Sequence, residues 1–186
     1  MADGAIRITG ILQDPFNARD QSRGLRSPLD QIFEAERPDL FALLGDLVED
    51  IHHIGSTSVE GLPAKPKIDM DAIVRRAELV EDAVIRVQST GNYTFHGAPY
   101  GDGRWTFTSG RGFYGIRLYL CGPDNESHAK RILFRDWLRT HPSDAAEYAS
   151  LKRLLAGEAN GDWDFYTGGK ADFISRIVRQ ALMLDR

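Results

Sequence analysis

The sequence has a single cysteine, no long apolar run and little net charge. Cys121 cannot form an internal disulfide, and no Cys and His cluster predicts a zinc site. No apolar stretch reaches the ~18 residues of a membrane span, and residues 1–4 lack the pattern of a signal peptide. The 23 Lys+Arg against 27 Asp+Glu leave no general excess of positive charge for binding nucleic acid. These absences predict a soluble, cytoplasmic protein without membrane contact and disfavour a nucleic-acid partner.

The composition is that of a folded domain. Of the 186 residues, 42% are hydrophobic and 10% aromatic, which is enough to build a core and excludes a disordered chain. The length favours one domain over residues 1–186. Within it we expect an N-terminal strand or loop at 1–28, an α/β catalytic core at 29–121 and a helical part at 122–186.

Hydrophobic periodicity and capping residues predict the elements of an α+β fold. Ser27 and Pro28 are typical of a helix start, and Pro38 is expected to break or kink that helix. Alternation predicts a strand over 68–74, and shorter patterns predict strands over 93–96, 105–109 and 114–121. Helices are expected over 78–90, 126–140, 143–155 and 170–184, with a glycine-broken loop before the last. The order indicates helices packed on one mixed β-sheet, an α/β-like arrangement.

Two acids and a small-residue turn form the informative pattern. Asp69 and Asp71 fall on one face of the predicted strand, about 7 Å apart, and two such carboxylates suit Mg²⁺. The turn at Gly55 and Ser56 follows an apolar strand and offers backbone N–H groups and a hydroxyl to phosphates. Together these parts favour phosphoryl or nucleotidyl transfer. Taken alone, however, Gly55 and Ser56 favour the interpretation of an ordinary tight turn.

A Gly-Ser turn followed by Asp-x-Asp resembles the signature of the nucleotidyltransferase superfamily. The longer string HIGSTSVEGLPAKPKID at 53–69 resembles the GrpB (UPF0157) family more closely. The strings LFRDWLRTHP at 133–142, EYASLK at 147–152 and YTGGKADFI at 166–174 are similar to later motifs of that family. The resemblance implies a nucleotidyltransferase-type mixed sheet with a helical C-terminal half. The GrpB family is also found fused to dephospho-CoA kinases, which implies a role in nucleotide or CoA metabolism.

Two departures from the resembled pattern concern the metal site. The superfamily normally adds a third carboxylate from a later strand, but the predicted strand over 114–121 contains no acid. GrpB relatives tend to have a His-x-His pair where Arg117 and Tyr119 stand here. Arg117 would bring a positive charge to the metal face and could bind a phosphate or carboxylate. A single-metal mechanism is therefore favoured over a two-metal one.

The predicted site combines these residues. Asp69 and Asp71 are expected to be catalytic and to bind Mg²⁺, with ATP or another nucleoside triphosphate as substrate. His53, Tyr119 and Tyr166 are expected to line the pocket, although a structural role for His53 is at least as plausible. The residues expected to bind the nucleotide or its phosphates are Gly55, Ser56, Thr57, Ser58, Lys65, Arg117, Arg135 and Lys170. Most other basic residues of the later helices are interpreted as solvated.

The function that follows is a Mg²⁺-dependent, nucleotidyltransferase-like enzyme acting on a small-molecule acceptor. An adenylating ligase that forms an acyl-adenylate would use the same residues. The main alternative is a catalytically silent nucleotide- or CoA-binding module that has lost the third carboxylate. A pure interaction protein, with no response to nucleotide, is the weaker third possibility.

Overall fold

One five-stranded sheet organises the protein. The computed structural model describes residues 28–184, so the segment predicted over 1–28 lies almost wholly outside the described residues. The strands are β1 Val48–Ile54, β2 Lys67–Val74, β3 Thr94–Phe95, β4 Arg104–Arg111 and β5 Tyr114–Cys121. The helices are α1 Pro28–Leu44, α2 Val80–Ser89, α3 Glu126–Thr140, α4 Pro142–Glu158, α5 Trp163–Gly168 and α6 Ala171–Leu184.

The sheet is mixed, with strand order β1-β2-β5-β4-β3. β2 and β5 are parallel neighbours, and the other pairs are antiparallel. The parallel register places Asp69 opposite Arg117 and Asp71 opposite Tyr119. Because paired residues point to the same side of a sheet, these four side chains share one face. The prediction of an α+β fold with a mixed sheet and a helical C-terminal half is confirmed.

The two faces of the sheet differ in chemistry. One face is apolar, and buried side chains of α1 and α2 pack on it. Met70 and Leu118 are fully buried there. The opposite face has the alternate residues of β2 and β5, which are mostly polar, and α3 contacts it through Arg131. The alternation along β2 therefore separates a hydrophobic core from a polar surface that lies under a helix.

The helical half forms a second, smaller core. Leu138 of α3, Tyr148 of α4 and Ile177 of α6 pack with Val59, which follows β1 in the chain. The Asn125 side chain caps α3 by accepting a hydrogen bond from the His128 backbone N–H at 2.9 Å. Among residues 28–184, no helix combines the length and apolar character needed to span a bilayer.

Two local predictions were wrong. Pro38 does not break the first helix, since α1 continues from Pro28 to Leu44, whereas the alternative of a kink stays a prediction. Phe33 and Leu40 are buried on either side of Pro38, so packing stabilises the helix although the proline lacks an N–H donor. The glycine-broken loop before the last helix contains the short helix α5. The Asp162 side chain caps it by accepting hydrogen bonds from two backbone N–H groups, both at 3.0 Å.

Candidate functional site

The turn after β1 packs closely against Asp69. Gly55 has φ 73° and ψ −169°, a region that is essentially limited to glycine. A Cβ at this position would lie 2.9 Å from the Asp69 carboxylate oxygen Oδ2. The next residues form a single 3₁₀ turn, Ser56–Ser58, and the Ser58 hydroxyl donates to the Gly55 carbonyl at 2.6 Å. The turn and the first acid of β2 are therefore in direct contact.

Three cationic side chains of the helical half hold this turn. Arg135 of α3 donates from Nη1 to the His53 carbonyl at 2.9 Å, and Arg139 donates from Nε to the Ser58 carbonyl at 2.9 Å. Lys152 of α4 donates from Nζ to the Ser56 hydroxyl oxygen at 2.6 Å and also to the carbonyl of Pro63. The position of the turn thus depends on α3 and α4 as well as on the sheet.

Lys152 is a site residue that sequence reasoning missed. Only 3% of it is exposed, and burial together with the positive charge of Lys170 lowers its pKa to about 7. It was interpreted as one of many solvated helix cations. Two signals were available: Lys152 shares the buried side of α4 with Tyr148 and Leu155, and it ends one of the family-like strings. A lysine in an apolar stripe requires a partner, because burying a charge alone is costly.

Asp69 has several cationic groups around it. It is only partly exposed, and desolvation raises its pKa despite the opposing positive charges of Arg117 and Lys67. The negative charge of Asp69 in turn counteracts the desolvation that lowers the pKa of Lys170. Lys170 Nζ lies 4.0 Å from the centre of the Tyr166 ring. A partly exposed acid, a hydroxyl-bearing turn and cations from β2, β5 and the helical half therefore meet here.

Asp71 has a different environment, although it lies on the same face. Its side chain is fully buried, and Arg131 binds both carboxylate oxygens, Nε to Oδ2 at 3.0 Å and Nη2 to Oδ1 at 2.8 Å. His128 Nδ1 is 2.8 Å from Oδ2. Arg131 also stacks over Tyr119, 4.8 Å from the ring centre. The expectation that both Asp69 and Asp71 bind Mg²⁺ stays a prediction, and of the two acids Asp71 already has a cationic partner.

These donors limit where a divalent cation would fit. Asp71, Cys121 and His128 have potential ligand atoms within 4.8 Å of one another. Arg131 already neutralises Asp71. Burial raises the pKa of Cys121 to about 12, and the negative charge of Asp71 contributes to this rise. That group is poorly suited to a cation. Asp69 suits Mg²⁺ better, because Mg²⁺ is often held by one carboxylate together with substrate phosphates.

The remaining predicted residues divide into two groups. Arg117, Tyr119, Lys170 and Tyr166 lie in or beside the Asp69 region. Tyr119 is 6% exposed, and its burial raises its pKa, as does the negative charge of Asp69. Lys65 lies exposed in the loop before β2. The second group forms hydrogen bonds with other groups of the protein and consists of His53, Thr57, Ser58 and Arg135.

His53 has a structural environment on the apolar side of the sheet. Its ring stacks on Phe33 with 4.7 Å between centroids, and Nδ1 lies 3.1 Å from an Asp30 carboxylate oxygen. Nε2 lies 2.9 Å from the Thr57 hydroxyl oxygen, and this hydroxyl also donates to the Lys67 carbonyl at 3.3 Å. Thr57 and His53 therefore stabilise the turn from beneath, whereas the Ser56 hydroxyl is the one held by Lys152.

Comparison with known proteins identifies the family. A family model described as GrpB protein matches residues 27–180, which include the turn, both acids and the three cationic side chains that hold the turn. The chain belongs to the GrpB family. This confirms the resemblance of its sequence motifs to GrpB, and the family name itself specifies no reaction.

Individual GrpB relatives have similar sequences and a similar fold. The chain is 35% identical over 151 residues to the UPF0157 protein YqkA of Bacillus subtilis, covering 81% of this chain. It is 29% identical over 155 residues to the glutamate-rich protein GrpB of Alkalihalophilus pseudofirmus, covering 81% of this chain and 88% of the relative. The crystal structure of conserved protein GrpB from Enterococcus faecalis has a TM-score of 0.73 at 30% identity, covering 83% of this chain and 93% of that one.

Some GrpB relatives are considerably longer than the matched region. The chain spans 44% of the length of YqkA and 57% of the length of a UPF0157 protein from Pseudomonas aeruginosa. The part of YqkA outside the match has no counterpart in this alignment. The function of the present chain is therefore argued from its own site.

Proposed function

We propose that the protein binds the phosphates of a nucleoside triphosphate at the Gly55 turn and transfers a nucleotidyl group to a small-molecule acceptor. The observation that supports this most is the contact of the turn with two oppositely charged groups. Gly55 packs against the Asp69 carboxylate, and Ser56 binds the Lys152 ammonium group. The same arrangement is expected of the nucleotidyltransferase superfamily, to which we assign the chain as part of this proposal.

Electrostatics favour a polyanion at this place. Desolvation lowers the pKa of Lys170 and of Lys67, and the neighbouring positive charge of Arg117 lowers that of Lys67 further. The positive charge of Lys170 likewise lowers the pKa of Lys152. A bound phosphate would relieve this repulsion and supply oxygens to the ammonium groups. Phosphates are therefore the ligands that this cluster of cations accommodates best.

Asp69 would hold Mg²⁺ together with the bound phosphates, and the cation would neutralise charge that develops on them. In the proposed step an acceptor oxygen attacks the α-phosphorus, the bond to the β-phosphate oxygen breaks, and pyrophosphate leaves. Ser56, Lys152 and Lys170 would bind the departing phosphates. A carboxylate acceptor needs no proton removed and yields an acyl-nucleotide anhydride, which is the first half of an adenylating ligase reaction.

The second candidate is a nucleotide- or CoA-binding module without catalysis. The binding of Asp71 by Arg131 and His128 favours it, because the second acid is not available to a metal ion. β5 also adds no carboxylate next to β2, where Arg117 and Tyr119 are found instead. Under this proposal the phosphates bind in the same way, and the acceptor step does not occur.

The two candidates are separated by measuring binding and turnover on the same protein. Binding of a non-hydrolysable ATP analogue with Mg²⁺ is measured by calorimetry, and pyrophosphate release from ATP is measured with pooled metabolites. We expect Asp69→Asn to abolish pyrophosphate release, with Asp82→Asn, an exposed acid of α2, as the matched control. Binding without release in the unaltered protein supports the module. Absence of both contradicts the nucleotide proposals.

A further inference from the structure

A second concave region lies along the free edge of β1, away from Asp69. A cavity of about 1020 Å³ is bounded by α1, the outer edge of β1, residues 58–62 and the adjoining ends of α3 and α4. We refer to it as the edge cavity. Its volume is at the upper end of small-molecule sites. The lining does not include Asp69, Lys152 or Lys170, so the proposed phosphate site is separate from it.

The strand edge inside this cavity is already closed to another strand. The Ile51 carbonyl accepts a hydrogen bond from Arg37 Nε at 3.0 Å, and the Ile51 N–H donates to the Asp50 carboxylate at 2.7 Å. The His53 carbonyl accepts from Arg135 at 2.9 Å. Addition of a peptide strand needs these backbone groups free. The edge cavity is therefore suited to a small molecule.

The walls of the edge cavity combine an apolar surface with a basic side. Leu62 and Ala145 are partly exposed apolar residues of this lining, and they lie beside the buried core that contains Val59 and Leu138. Arg139 and Arg153 line one side of the cavity, and the exposed acids Glu34 and Glu60 also belong to the lining. Such a lining matches a molecule with an apolar chain and one charged end.

The charged groups of this lining are not equally available. Asp30 lies against His53, and Asp50 pairs with Arg37 at 2.8 Å, so both acids already have partners. Within the described residues, exposed Arg153 forms no hydrogen bond or ion pair. Arg139 is partly exposed, but it donates to the Ser58 carbonyl and lies 3.6 Å from the Asp136 carboxylate. Desolvation and the positive charge of Arg135 lower its pKa, and the negative charge of Asp136 opposes this.

We propose that the edge cavity binds a small organic anion with an apolar chain, with the anionic end at Arg139 and Arg153. The apolar chain would lie against Leu62 and Ala145. Glu60 is exposed on the rim and its negative charge repels the same anion, so its removal should have the opposite effect to removal of an arginine.

The test uses the full chain and decanoate at submicellar concentration, with decyltrimethylammonium as the probe of reversed charge. Calorimetry should detect decanoate binding and markedly weaker binding of the ammonium probe. Arg153→Gln should weaken decanoate binding about three- to tenfold, and Glu60→Gln should strengthen it. Arg179→Gln, an exposed arginine of α6 outside the cavity, is the matched control and should leave binding unchanged. Ala146→Trp, at an exposed lining position, should block the cavity.

Several results would overturn the proposal. Equal binding of the two probes would show that charge does not select the ligand. Equal effects of Arg153→Gln and Arg179→Gln would place the anion elsewhere. Absence of decanoate binding would also overturn it. If decanoate did not bind and the sedimentation coefficient rose with protein concentration, the edge cavity would instead be assigned to contact with a second copy of the chain. ATP-analogue binding is measured separately, so failure here leaves the phosphate proposal unaffected.

Discussion

The buried lysine of α4 predicts an unusual dependence of stability on pH. Lys152 is 3% exposed, and burial together with the charge of Lys170 lowers its pKa from 10.5 to about 7. In the unfolded chain the same amine has its ordinary pKa. Between these two values the unfolded state binds more protons than the folded state. Raising the pH through this window must therefore increase the free energy of unfolding.

The magnitude follows from the two pKa values. A difference of one bound proton changes the free energy of unfolding by about 1.4 kcal/mol per pH unit. The slope is about half of this at pH 7, where the folded amine is half protonated, and it approaches the full value at higher pH. The protein should therefore gain about 2 kcal/mol from this group between pH 7 and pH 9. Below about pH 6 both states are charged, and the contribution becomes constant.

The assay is urea unfolding followed by tryptophan fluorescence at pH 6, 7, 8 and 9. Lys152→Met removes the titrating amine, so the difference between the unaltered protein and this variant isolates its contribution. Lys130→Met is the matched control, because Lys130 is exposed on α3 and pairs with Glu126 at 2.9 Å. Its stability should follow that of the unaltered protein. Parallel pH curves for the unaltered protein and Lys152→Met would refute the reasoning.

Three further substitutions test the fold around the site by chemical denaturation. Gly55→Ala should lower the free energy of unfolding by at least about 2 kcal/mol. Gly61→Ala should lower it by less, because Gly61 also has a positive φ, +76°, but open space around it. Equal losses would contradict the close packing of Gly55 on Asp69. Arg131→Met should lower the free energy of unfolding by about 3–5 kcal/mol, because it leaves the buried Asp71 carboxylate poorly paired. Arg176→Met, which breaks an exposed pair, should lower it by under about 1 kcal/mol. Similar losses would contradict a buried ion pair at Asp71. Asp102→Asn should cost about 2 kcal/mol above pH 4, and this cost should fade as the pH falls through about 2. Desolvation raises the pKa of Asp102, but hydrogen bonds from Arg104 and Ser127 outweigh it and lower the pKa to about 2. A loss of stability that persists in acid would contradict this account.

Local chemistry predicted the elements that build the site. Alternation indicated a strand over 68–74, and β2 is Lys67–Val74; the helix expected over 126–140 coincides with α3. Period-two geometry correctly placed Asp69 and Asp71 on one face. These features depend on neighbours in sequence, for which propensity and spacing are informative.

The partners of the two acids could not be predicted in the same way. Arg131 lies 60 residues beyond Asp71, and its contact depends on how α3 is rotated over the sheet. That rotation is fixed by packing of α3 on α4 and α6. The sequence pattern of α3 shows which residues share a helix face but not which strand residue that face meets. The pattern of α4 places Lys152 on the buried side of the helix, but it does not show that the partner of Lys152 is Ser56 in the turn after β1.

The unequal partners of the acids determine where new charge can be accommodated. Asp71 is fully buried and binds Arg131 through both oxygens, so a ligand there must displace a guanidinium group from a carboxylate that solvent does not reach. At Asp69 the neighbouring cations are lysines and Arg117, and the acid itself is partly exposed. The phosphate that we propose to bind there would join that cluster without displacing a buried ion pair. Removing Arg131 would therefore expose no second metal ligand; it would leave a buried charge and destabilise the face on which Asp69 depends.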